Sequence, residues 1–82
     1  MIIANEEVME LIAEIPEGHK HLRTTITLHD GRSFTFQEAT TANLVRAYIM
    51  VKTHPQRTKV RLSGERLDVR KEGYAQWQLV EE

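Results

Sequence analysis

Phe34 and Phe36 stand two residues apart just behind an Asp30-Gly31 pair, and residues 20–28 alternate in front of it. In that first segment Leu22, Ile26 and Leu28 share one side, while His21, Arg23, Thr25 and Thr27 share the other. A two-residue Asp30-Gly31 loop would pair Thr27 with Phe34 and set a hydroxyl against the core. A slip of one residue moves every side chain of a strand to the wrong face. A three-residue His29-Asp30-Gly31 loop instead pairs Ile26 with Phe34 and Thr24 with Phe36. It also puts glycine where a left-handed backbone is required. The spacing therefore predicts an antiparallel hairpin with the longer loop.

The same parity test extends downstream. Val60 and Leu62 can face Leu67 and Val69 through a two-residue Gly64-Glu65 loop, with glycine in the first position that a type II′ turn wants. A three-residue Lys71-Glu72-Gly73 loop then sets Val69 against Ala75 and Leu67 against Trp77, which turns Trp77 inward. Ala75-Gln76-Trp77-Gln78-Leu79 alternates strictly, as a strand does. Tyr74, Trp77 and Val80 are three apart, so a helix over residues 74–81 is the alternative.

Two segments carry helical spacing. In residues 5–15, Val8, Leu11, Ile12 and Ile15 fall at i, i+3, i+4 and i+7, with Asn5 as cap and Pro16 as stop. In residues 41–53, Leu44, Val45, Tyr48, Ile49 and Val51 form a broad apolar face behind a Thr40 cap, and Pro55 ends it. The expected fold is a single α+β domain over residues 1–82, in the order α-β-β-α-β-β-β. It is a small two-layer sandwich with two helices on one face of a mainly antiparallel sheet.

Size limits what such a chain can do. Its 82 residues are 40% apolar, and a chain this short buries only about 60% of its unfolded surface. That excludes a two-domain enzyme with a deep cleft between domains. Cysteine is absent, which removes disulfides, thiol nucleophiles and thiolate metal sites. Ser33 and Ser63 stand in no nucleophile elbow, and no glycine cluster could cradle a phosphate. His19 and His21 share a strand face, but His29 is ten residues from His19 and no further ligand completes a metal sphere. No enzyme activity, metal or cofactor is expected. His54 reads as a helix-end residue. The acidic amino terminus, the lack of an apolar run of membrane length and the missing cysteine point to a soluble cytoplasmic protein.

Charge is segregated although the total is only -1. Residues 1–17 carry five acids and no base, residues 18–71 carry a net +7, and residues 72–82 a net -3. In the expected register the uncovered sheet face displays Arg23, Arg57, Lys59, Arg61, Arg66, Arg70 and Tyr74, with Thr25, Thr27, Thr35, Gln76 and Gln78 between them. Asp68 would lie opposite Arg61. Sheet-based nucleic-acid readers stack bases on exposed aromatics, and only Tyr74 is placed for that. The expected function is therefore a non-enzymatic binding or regulatory module acting through protein–protein contact or self-association, a homodimer included. Polyanion or nucleic-acid binding on the basic face is the alternative. Ile2-Ile3 and the terminal strand are the unblocked edges on which self-association would rest.

Overall fold

The computed structural model describes residues 1–66 and 77–82. Its contacts divide into two units, Met1–Ala42 and Asn43–Glu82. Among the described residues there are five strands and one α-helix: β1 Val8–Glu14, β2 Arg23–Leu28, β3 Ser33–Gln37, α1 Glu38–Lys52, β4 Leu62–Arg66 and β5 Trp77–Glu81. The strands form two antiparallel sheets, β1-β2-β3 and β4-β5. The fold is thus α+β, but the expected single sheet beneath two helices is overturned, and so is the element order.

The first unit is built on the predicted hairpin. Ile26 opposes Phe34 and Thr24 opposes Phe36. Gly31 takes φ +94° and its N–H donates to the Leu28 carbonyl at 3.0 Å. The Leu28 N–H donates in turn to the Arg32 carbonyl at 2.8 Å, which closes the three-residue loop. Asp30 accepts hydrogen bonds from the Arg32 N–H at 3.0 Å and from the Arg32 Nε at 2.8 Å. The Arg32 backbone N–H, and then its guanidinium, hold the Asp30 carboxyl below its ordinary range.

Residues 5–15 depart from expectation. Asn5–Glu7 make one short 3-10 turn, and Val8–Glu14 then pair with β2 as a strand, Leu11 opposite Ile26 and Glu14 opposite Arg23. The segment satisfies two periods at once. Leu11 and Ile12 fit a helical stripe, but Met9, Leu11, Ala13 and Ile15 also alternate with Glu10, Ile12 and Glu14. An isolated helix of eleven residues is marginal in water, whereas the strand supplies partners for a row of β2 backbone groups that would otherwise be bare. Pairing wins. The ladder shifts between Val8 and Glu10, so Val8 meets Leu28 and Glu10 meets Thr27. Met9 is the extra residue of a β-bulge.

The sheet is two-faced. Val8, Leu11, Ala13, Thr24, Ile26, Leu28, Phe34 and Phe36 line one side. Thr24, the polar member, accepts a hydrogen bond from Thr41 in the first turn of α1 at 3.2 Å. That helix starts at Glu38, directly after β3, rather than at residue 41. It ends as expected before Pro55: the Thr53 hydroxyl donates to the Ile49 carbonyl at 2.7 Å, and His54 Nδ1 lies 2.8 Å from the Met50 carbonyl oxygen.

In the second unit the predicted Gly64-Glu65 turn is absent, because β4 runs straight through both residues. Gly64 opposes Leu79 and Arg66 opposes Trp77. A Cβ on Gly64 would sit 3.6 Å from Leu79 Cδ2, so the Leu79 side chain lies over a bare stretch of backbone. Trp77 pairs with Arg66 and not with Leu67, one residue away from the expected register. It is 64% exposed instead of buried. Residues 77–81 are a strand, as preferred over the helical alternative. The predicted Lys71-Glu72-Gly73 loop lies outside the described residues.

Candidate interaction surface

The polar side of the first sheet gathers Glu10, Ile12 and Glu14 from β1, Arg23, Thr25 and Thr27 from β2, and Ser33, Thr35 and Gln37 from β3. Hydroxyls bind across it, Thr25 to Thr35 at 3.0 Å and Thr27 to Ser33 at 3.4 Å. Arg23, Thr25, Thr27 and Thr35 share this face as the parity argument expected. The glutamates do not belong to that expectation. They arrive because residues 8–14 join the sheet, and Arg23 then has Glu14 opposite it. One base among two acids makes this side weakly acidic.

The remaining candidates lie in the second unit or outside the described residues. Arg57 forms an ion pair with Glu81. Arg61 Nε lies 3.1 Å from Glu82 Oε2, and the Glu82 N–H donates to the Arg61 carbonyl at 3.1 Å. Ser63 donates its hydroxyl to the other Glu82 oxygen. Lys59 is exposed just before β4, and Arg66 lies on β4 opposite Trp77. Arg70, Tyr74 and Asp68 lie outside the described residues. The acidic tail seen as a separate block in the sequence is therefore folded onto two of the arginines it was expected to leave open.

The His21 imidazole also finds a partner. His21 Nδ1 lies 3.0 Å from Glu38 Oε2. Among the described residues no three His, Cys, Asp or Glu side chains come close enough to hold a metal ion. No helix among them is long and apolar enough to cross a membrane.

What parity reasoning missed is apolar. Among the described residues only Leu28 is a buried hydrophobic side chain, at 2% exposure. Leu11, Ile15 and Phe34 remain open on or beside the apolar side of the sheet. On α1, Leu44, Val45, Tyr48 and Ile49 are 49–64% exposed and form one continuous stripe. Helical spacing identifies those four residues as one apolar face, but two helices packed on a sheet would put Leu44, Val45 and Tyr48 in the core, where they are not found. Isolated exposed hydrophobics are ordinary, whereas a contiguous patch marks a contact surface. No protein-family model matches this chain, and neither the curated proteins nor the solved structures include one that is similar to it.

Proposed function

We propose that the chain is a non-enzymatic interaction module that completes its hydrophobic core against another protein surface. One observation carries this reading: among the described residues Leu28 is the one buried hydrophobic side chain, while Leu11 and Phe34 in the first unit and Leu44, Tyr48 and Ile49 in the second are exposed. Burial of apolar surface is the main favourable term in folding and in association alike. A chain that leaves this surface in water gains most by covering it. A cytoplasmic setting goes with the proposal, since a cysteine-free chain suits a reducing compartment.

The basic-face alternative is less well supported. Arg57 and Arg61 are matched by Glu81 and Glu82, and Glu10 and Glu14 share the side that carries Arg23. Size-resolved fractionation of native cell extract, with detection of this chain, tests the interaction reading. Elution in an assembly larger than the 9.5 kDa chain is the expected result. Elution of all of it as the free chain would overturn the reading.

A further inference from the structure

The exposed stripe of α1 has a polarity along its length. At 100° per residue, Glu38, Thr41, Leu44, Val45, Tyr48, Ile49 and Lys52 fall on one face of the helix. Glu38, Thr41, Val45, Tyr48 and Lys52 follow the alternating three- and four-residue steps of a coiled-coil seam, flanked by Leu44 and Ile49. Thr41 is turned onto Thr24 of β2, so the open part of the seam runs from Leu44 to Lys52. Glu38, half exposed, stands before this part on the same face, so the helix face has an acid at its amino-terminal end, an apolar centre and a base at its carboxy-terminal end.

We propose that the partner of this stripe is a second copy of the same chain, docked antiparallel through α1. The inference rests on the interaction reading above and names its occupant. In a parallel pair Glu38 would approach Glu38 and Lys52 would approach Lys52. An antiparallel pair sets the Lys52 end of each helix against the Glu38 end of the other, and opposes the two helix dipoles. With Glu38 opposite Lys52 the two-fold axis passes at Val45, which meets Val45 of the partner, and Leu44, Tyr48 and Ile49 of both copies close around it. The two-fold axis makes the contact isologous, so one surface closes the assembly without leaving a second sticky end. Glu38 is held in place by His21 yet keeps its side chain half exposed, so it remains open to the incoming lysine. The pattern is self-complementary in one orientation only.

Sedimentation equilibrium on the purified chain tests this. The wild type sediments as a dimer at micromolar concentration. Val45→Glu and Tyr48→Glu each weaken it by on the order of a hundredfold, since a carboxylate would be buried unpaired. Both positions are open in the single chain, so far-UV circular dichroism stays unchanged. Lys52→Glu and Glu38→Lys alone each weaken dimerisation by about tenfold at low salt, and an equimolar mixture of the two regains wild-type affinity. In this cysteine-free chain, oxidised Val45→Cys gives a covalent dimer, while Thr35→Cys on β3 does not. A monomeric wild type, stripe variants that dimerise unchanged, or a covalent dimer from Thr35→Cys but not from Val45→Cys would overturn the proposal. If the single charge reversals have no effect, the antiparallel orientation is wrong. A purified monomer that nonetheless elutes in a large assembly from cell extract would refute the second copy as partner while leaving the interaction reading intact.

Discussion

Replacing Leu28 with alanine removes three carbons from a side chain that is only 2% exposed. At about 0.8 kcal/mol per buried methylene, the lost transfer free energy is roughly 2.4 kcal/mol. The cavity left behind adds to this, and Leu→Ala changes at covered sites fall at ~2–5 kcal/mol. Leu28 sits where β2 meets the hairpin loop and opposite the bulge, with its N–H bound to Arg32 and its carbonyl to Gly31. Those backbone bonds limit how far the site can collapse, so the expected cost is about 3 kcal/mol. A chain of this length has a total stability on the order of 4–12 kcal/mol. The change therefore removes a large share of it. Leu11 lies on the same side of the same sheet but is 61% exposed. Leu11→Ala leaves no cavity and forfeits less than ~1 kcal/mol. Urea denaturation followed by far-UV circular dichroism, at one fixed protein concentration, separates the two by their midpoints at unchanged slope. If Leu28→Ala cost under ~1 kcal/mol, or Leu11→Ala cost as much as Leu28→Ala, the placement of the core at the loop end of β2 would be refuted.

Trp77, 64% exposed, should be readily quenched by acrylamide, and Trp77→Ala should cost ~1 kcal/mol rather than the ~3–5 kcal/mol of a buried aromatic; slow quenching with a large loss of stability would restore the inward register. Gly31→Ala should destabilise by about 1–2 kcal/mol, because φ +94° is unfavourable for any residue with a Cβ; thermal unfolding showing no change would argue against the three-residue loop. Asp30 has a folded-state pKa below its ordinary 3.8, so its contribution is present above that value and lost as pH falls through the lowered one. Asp30→Asn should remove that part of the acid dependence, and unfolding curves between neutral and acid pH that superimpose on wild type would contradict it. Nucleic-acid retention should stay weak and equal for the wild type and Arg61→Ala, since Glu82 already occupies that guanidinium; strong salt-sensitive binding lost in the variant would revive the basic-face reading.

How much of this was legible in the sequence depended on whether a segment obeyed one period or two. The hairpin around Asp30 was readable because Phe34 and Phe36 mark a face without ambiguity, and only one loop length keeps Ile26 with them. Residues 5–15 were not, because Leu11 and Ile12 serve a helical stripe and a strand equally well. What decides between them is the unpaired backbone of β2, a partner fifteen residues away in the chain. The second hairpin failed for a different reason. Ser63-Gly64-Glu65 has turn composition, yet Gly64 belongs to a strand and lies opposite Leu79. Parity could then not be trusted for Trp77, since one step of register reverses it. Of the expected basic face, Arg57 and Arg61 are paired with Glu81 and Glu82, and Arg23 shares its side of the sheet with Glu10 and Glu14. The helical stripe was found at the right residues and given the wrong role, because periodicity reports which side of a helix is apolar and not whether this chain covers it.

The bulge at Met9 has a consequence for how the chain tolerates changes in length. Elsewhere in β1 the loss of one residue would invert the strand and carry Glu10 or Glu14 to the side of Leu11 and Phe34. At Met9 the surplus residue is the one without an opposite number, so excising it lets Val8 close directly onto Leu28 while every pair from Glu10 to Glu14 stays where it is. The amino-terminal turn, tied by the Glu7 carbonyl to the His29 N–H at 3.0 Å, keeps its anchor. The strand thus holds one residue of slack at its start, and a deletion there straightens the ladder that the same deletion two residues later would turn inside out.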